Sequence, residues 1–168
     1  MHRSSFRAGM YLLENLTSGM YNDPLSIYRE YIQNSVDSFD LSSNNNGHYA
    51  VNIDLDPFDR SIRIFDNGLG VSAKKAEEVL SSIGESNKRG LHLRGFRGIG
   101  RLGGIAFCDK AIFRTKAEGE STESIQEWDC YRLKKALNLS NKPRTFKQIL
   151  KNITKFYQRN SQSKEGSY

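Results

Sequence analysis

Phe65-Asp66-Asn67-Gly68-Leu69-Gly70 stands between a strand-like run and a helix-like one, and its reading decides the fold. Upstream, Tyr49, Val51, Ile53 and Leu55 alternate with polar residues, and Ile62 and Ile64 alternate with Ser61, Arg63 and Phe65. Both runs read as strands, joined by the hairpin-like Asp56-Pro57-Phe58-Asp59-Arg60. Downstream, Ser72 offers an N-cap to a helix over 72–83, with Val79, Leu80 and Ile83 on one face. An aspartate held at a strand end can accept a hydrogen bond from an exocyclic amine such as that of adenine. The two glycines let the backbone approach a flat ring and turn sharply. Taken alone, Asp-Asn-Gly is also an ordinary turn.

Moving outward toward the N-terminus, Leu25, Ile27, Tyr28, Ile32, Val36 and Phe39 keep a helical spacing. Pro24 suits the first turn of that helix. Its polar residues include Glu30, Asn34 and Asp37, at i, i+4 and i+7, which share one face. A carboxylate one turn from a carboxamide suits metal-assisted hydrolysis, because the amide oxygen is a hard neutral ligand for magnesium and the carboxylate can orient a water. The same spacing also describes a plain exposed helix face.

Toward the C-terminus lies Gly95-Phe96-Arg97-Gly98-Ile99-Gly100-Arg101-Leu102-Gly103-Gly104. Successive backbone N–H groups leading into a helix form a nest for anions, and Arg97 and Arg101 add positive charge. A Walker A loop would need Lys and then Ser or Thr after Gly100, where this chain has Arg101-Leu102. Gly98-x-Gly100-x-x-Gly103 satisfies the dinucleotide pattern, but no buried strand precedes it and it comes too late to open a first βαβ unit.

The remaining segments fill in around these three motifs. Residues 7–20 read as a first helix, 41–47 as a turn, and 105–116 as a helix end followed by the strand Ala111–Thr115. A short strand near Ser124–Asp129 leads to a basic helix from about Tyr131, which Pro143 breaks. A second amphipathic helix is expected from Thr145, with Phe146, Ile149, Leu150, Ile153 and Phe156 on one side and Lys147, Lys151, Lys155 and Arg159 on the other.

Composition bounds the function. The 168 residues carry 25 Lys+Arg and 19 Asp+Glu, a net charge of +6, and 18 aromatic residues from 1 Trp, 8 Tyr and 9 Phe support a core. No apolar run approaches the roughly 20 residues of a transmembrane helix, and Met1-His2-Arg3-Ser4-Ser5-Phe6-Arg7 lacks the uninterrupted apolar stretch expected of a secretory signal. Cys108 and Cys130 are too few for a metal cluster or an extracellular disulfide framework. The expectation is a cytoplasmic domain with reduced thiols and no membrane contact. Between Tyr131 and Lys164 the chain has only basic charges, suited to phosphate-rich or acidic partners or to a solvated helix face.

The order of the motifs resembles the GHKL superfamily: DNA gyrase B, ATP-dependent heat-shock chaperones, histidine kinases and MutL. The resemblance runs from about Tyr11 to Lys116. The text Ser82-Ile-Gly-Glu-Ser86-Asn-Lys88, together with the glycine loop, looks closest to the chaperone-type and MutL-type branches. No histidine stands in a phospho-accepting helix context. The implied fold is α+β, a two-layer α/β sandwich of the Bergerat type with a mixed, mostly antiparallel sheet covered by helices on one face.

The resemblance also implies roles. Glu30 would polarise the attacking water, Asn34 would coordinate Mg²⁺, and Asp37 would support the nucleotide pocket. Asp66 would recognise the adenine amino group, with Gly68 and Gly70 shaping that wall. Lys88 would reach the sugar and phosphates, and the lid loop Gly95, Phe96, Arg97, Gly98, Ile99 and Gly100 would hold the phosphates. On this reading residues 1–130 form an ATP-binding domain with its lid at about 84–104. Residues 131–168 form a basic helical tail of the same domain, ending before a final strand.

ATP and Mg²⁺ are the expected ligands, in a chaperone-like ATPase that works slowly as a conformational switch. Family members commonly complete the site with a basic residue from a following domain, and an open sheet edge admits a homodimer. A regulator that binds nucleotide without turnover, and a nucleic-acid-binding module using the basic tail, are the other functions compatible with the sequence.

Overall fold

The computed structural model describes residues 23–42, 48–82, 100–138 and 146–161. The expected first helix at 7–20, Lys88 and the loop Gly95–Ile99 lie outside the described residues. Helix α1 (Leu25–Asp40) starts after Pro24, where the backbone N–H of Leu25 is capped by the Asp23 carboxylate at 2.9 Å. Strands β1 (Val51–Asp56) and β2 (Ser61–Asp66) form an antiparallel hairpin with Ile53 opposite Ile64 and Leu55 opposite Ile62. Asp56 caps the connection by accepting from the N–H groups of Phe58 and Asp59.

Helix α2 (Ala73–Ser81) follows the Asp66–Gly70 turn. Ser72 occupies its N-cap position, but its side chain makes no capping hydrogen bond. The Glu120 carboxylate, 47 residues away in sequence, accepts from the Ala73 N–H at 2.8 Å instead. A carboxylate at that end also meets the positive pole of the helix dipole.

A 3₁₀ helix (Gly100–Ala106) leads into β3 (Lys110–Thr115), β4 (Thr122–Asp129), α3 (Cys130–Asn138), α4 (Phe146–Ile153) and β5 (Thr154–Asn160). Strands β3, β4 and β5 form an antiparallel sheet with β4 in the centre. The central position explains why β4 is buried along most of its length, including Ile125 and Trp128. Helix α2 lies against β4, where Gln126 donates to Ser81 Oγ and Gln158 of β5 donates to the Ala73 carbonyl. The architecture is α+β, built from antiparallel sheets and helices.

The helix expected from Thr145 through Arg159 ends at Ile153. Thr154-Lys155-Phe156-Tyr157 combines a β-branched residue with two aromatics, which favours a strand, and β5 pairs along β4 from Thr154 to Asn160. Lys155 and Arg159 therefore belong to a sheet, and the expected helical lysine stripe is not formed. Ile149 and Ile153 instead turn inward with Leu102, Ile105, Trp128, Cys130 and Leu133 to make the core.

Candidate functional site

Helix α1 brings the site together because it presents two polar flanks. Successive residues rotate by about 100° around a helix axis, so Glu30, Asn34 and Ser38 follow one another around the surface, with Tyr31 and Ser35 just beyond. At one end of this arc, a Cβ placed on Gly100 would fall on the Glu30 carboxylate. The glycine thus lets the first turn of the 3₁₀ helix lie directly against that side chain. One turn later, the Tyr31 hydroxyl approaches Gly104, and the Tyr31 ring meets Phe113 of β3 edge-on at 6.5 Å.

At the other end of the arc, Ser35 Oγ donates to Asp66 Oδ2 at 3.0 Å, with the Tyr31 carbonyl at 3.1 Å as its other neighbour. Asp66 Oδ1 accepts from the Gly68 N–H at 2.9 Å. Ser38 Oγ accepts from the Leu69 N–H at 3.1 Å. Two serines of α1 thereby hold the turn after β2, and both carboxylate oxygens of Asp66 are fixed in direction.

The turn is anchored a second time at the end of β3. Gly70 has φ +63, and a Cβ there would collide with the Lys116 carbonyl. Next to it, the Val71 N–H donates to Thr115 Oγ1 at 2.8 Å. Ser35, Asp37, Gly68, Thr115 and Lys116 are all buried, so polar groups are concentrated inside the fold around this turn.

Of the positions expected to act, Glu30, Asn34, Asp37, Asp66, Gly68, Gly70 and Gly100 are described. Glu30 and Asn34 are half-buried on α1, Asp37 is buried, and Asp66 is half-buried on β2. Lys88, Gly95, Phe96, Arg97, Gly98 and Ile99 lie outside the described residues. A shallow cleft of about 410 Å³ opens elsewhere, beside Lys110, Glu127 and Lys155, and includes none of the motif residues.

This order of elements agrees with a family comparison. The model for histidine kinase-, DNA gyrase B- and HSP90-like ATPases matches residues 25–161. The chain belongs to this ATPase family. Within it, the similar curated proteins named here are chaperones. HtpG of Halalkalibacterium halodurans is 28% identical over 150 residues, covering 77% of this chain and 24% of the chaperone. HtpG of Coxiella burnetii is 28% identical over 140 residues, covering 70% and 22%, and that of Enterobacter sp. (strain 638) is 25% identical over 142 residues, covering 71% and 23%. The chain thus lies near the chaperone branch and spans about a quarter of the length of these relatives. Membership supports ATP binding by this GHKL domain.

Four residues that hold this arrangement together escape a reading of the sequence: Tyr31, Ser35, Ser38 and Thr115. The serines carry a weak signal, since Ser35 and Ser38 are three apart in a helix interior, where serine gains nothing intrinsically. Thr115 gives no signal, because β-branched residues are common in strands.

Among the described residues no helix is long and apolar enough to cross a membrane.

Proposed function

We infer that the chain is a Mg²⁺-dependent ATP-binding domain with slow ATPase activity that works as a conformational switch. The observation that carries this reading is the hydrogen-bonded link from Ser35 to Asp66. It ties Asp66, at the end of β2, to the helix that also carries Glu30 and Asn34. Asp66 would accept from the adenine amino group, while Gly68 and Gly70 let the turn that carries it pack closely against Ser38 and the Lys116 carbonyl. Glu30, lying against Gly100, would orient the attacking water for in-line displacement at the terminal phosphate.

The half-buried Asn34 amide, one turn from Glu30, fits a magnesium ion. That ion commonly keeps several waters and takes further ligands from substrate phosphates. Asn34 would hold it, and magnesium would neutralise charge building on the phosphates. Asp37, being buried, would support the pocket from behind. Lys88 and the loop Gly95–Gly100 would complete the phosphate side as a lid at about 84–104. Lid closure over ATP would then change which surfaces are open to partners.

Calorimetric titration with ATP and ADP, with and without Mg²⁺, tests this. Wild type should bind with magnesium dependence, Asp66→Asn should bind more weakly, and Glu30→Ala should bind but not turn over. Wild-type affinity in Asp66→Asn would overturn the adenine assignment.

A further inference from the structure

Cys108 and Cys130 lie outside the nucleotide site, and the function proposed above makes no use of them. Cys108 directly follows the turn that ends the 3₁₀ helix, while Cys130 opens α3 at the end of β4. Their sulfurs are 3.6 Å apart, and both are free thiols. The backbone around them is already in register, since the Tyr131 N–H donates to the Asp109 carbonyl at 3.1 Å. Lys134 Nζ braces the same junction, donating to the Cys108 carbonyl at 2.9 Å and to Asp109 at 3.1 Å. A disulfide needs the sulfurs at about 2 Å, so the side chains must close a gap of less than 2 Å (3.6 minus about 2) between elements already joined.

The two thiols are not equivalent. Cys130 is fully buried in the core, and its sulfur also faces the Trp128 carbonyl. Cys108 is half-buried. The hydrogen bond with Cys130 holds the Cys108 thiol below its usual range, and the Lys134 charge assists. That bond and burial push Cys130 upward. The accessible sulfur is therefore the more nucleophilic at neutral pH, and the buried one keeps its proton.

We propose that Cys108 and Cys130 form a peroxide-responsive dithiol that closes to an intramolecular disulfide and fastens the end of the 3₁₀ helix to the β4–α3 junction. The Cys108 thiolate attacks one oxygen of hydrogen peroxide. The S–O bond forms, the O–O bond breaks, and the departing hydroxide takes a proton to become water. The Cys130 sulfur then attacks the sulfenic sulfur of Cys108. The S–S bond forms, the S–O bond breaks, and the hydroxide leaves as water with the Cys130 proton. Two thiols are oxidised by two electrons, and one peroxide is reduced to two waters. The 3₁₀ helix also carries Gly100 to the Glu30 carboxylate, so the disulfide would stiffen one wall of the proposed nucleotide site. That consequence rests on the nucleotide reading, whereas the cross-link does not.

The test is peptide mapping of the full chain after graded hydrogen peroxide, with free thiols alkylated before digestion, alongside hydrogen exchange over 100–107. The expected result is a linked Cys108–Cys130 peptide in an intact chain lighter by about 2 Da, reversed by dithiothreitol, with slower exchange at 100–107. Cys130→Ala, which loses the hydrogen bond that lowers the Cys108 thiol, should react more slowly and stop at a dimedone-reactive sulfenic acid at Cys108, and Cys108→Ser should leave Cys130 unoxidised. Wild-type chain that keeps both thiols alkylatable after peroxide overturns the proposal, and needs no variant to fold. A cross-link without slower exchange overturns the fastening. Neither readout depends on nucleotide, so failure of the ATP reading would leave both interpretable.

Discussion

Ser35 Oγ and Asp66 Oδ2 lie 3.0 Å apart, and this hydrogen bond joins helix α1 to the turn after β2 across 31 residues of sequence. It couples the proposed water-orienting and metal-binding end of α1 to the proposed adenine acceptor.

Ser35→Ala should therefore weaken ATP binding without unfolding the chain. A hydrogen bond to a carboxylate is worth about 1.5–3 kcal/mol, so the dissociation constant should rise by roughly ten-fold to a hundred-fold or somewhat more. Asp66→Asn removes the acceptor charge itself and should weaken binding at least as much. Titration calorimetry on both variants checks the order, and an unchanged constant in Ser35→Ala would show that Asp66 needs no orientation from α1.

Gly100→Ala probes the other end of the arc. The added methyl would fall on the Glu30 carboxylate, so Glu30 or the first turn of the 3₁₀ helix must move. The expected effect is on turnover more than on binding, because a shift of about 1 Å in a positioned catalytic group can cost on the order of a hundred-fold in rate. Steady-state ATPase assays beside nucleotide titration separate the two. An equal loss in both would mean the variant disturbs the pocket as a whole.

The helix and strand that carry the first two motifs, and most other described elements, were legible because each is local. The i, i+4, i+7 spacing of Glu30, Asn34 and Asp37 needs only helical geometry, and Asp66 at a strand end needs only the alternation before it. What stayed hidden depends on distant partners. Thr154–Asn160 keeps an apolar spacing that suits either a helix or a strand, and pairing with β4 decides it. Likewise, nothing local in Ser35 or Thr115 announces that Asp66 and Val71 will lie opposite them. Ser72 does stand at the N-cap of α2, but the carboxylate that accepts there comes from Glu120, which nothing local announces.

Glu120→Ala should accordingly destabilise the domain by about 1 kcal/mol, the typical cost of a lost helix cap. Ser72→Ala should cost only a few tenths. Urea denaturation of the two variants measures the difference. The reverse order would mean that Ser72 caps α2 in solution and that Glu120 only accompanies it.

Gly70→Ala should be among the most damaging single changes outside the core. Its φ of +63 disfavours a side chain, and the new methyl would meet the Lys116 carbonyl, which is backbone and cannot rotate away. Strain of this kind costs about 1–3 kcal/mol, seen as a lowered midpoint in the same denaturation experiment.

The β3–β4–β5 sheet carries its own pH dependence through Glu127. Lys110 at 3.0 Å and the Tyr157 hydroxyl at 2.9 Å both favour the Glu127 carboxylate, and they hold its carboxyl below the usual range. A folded-state value below the unfolded one means stability present above the unfolded value and lost as the pH falls through the folded value. The hydrogen bond to Glu127 pushes Tyr157 upward. Its contribution is therefore present below the ordinary tyrosine range and lost as the pH rises through its raised value. Thermal melts should show wild type losing its advantage over Glu127→Gln below about pH 4, near the reference glutamate value. Tyr157→Phe should narrow the difference at neutral pH and remove the alkaline loss. Parallel melting curves for wild type and Glu127→Gln across the acid range would mean that this carboxylate is as well solvated in the folded chain as in the unfolded one.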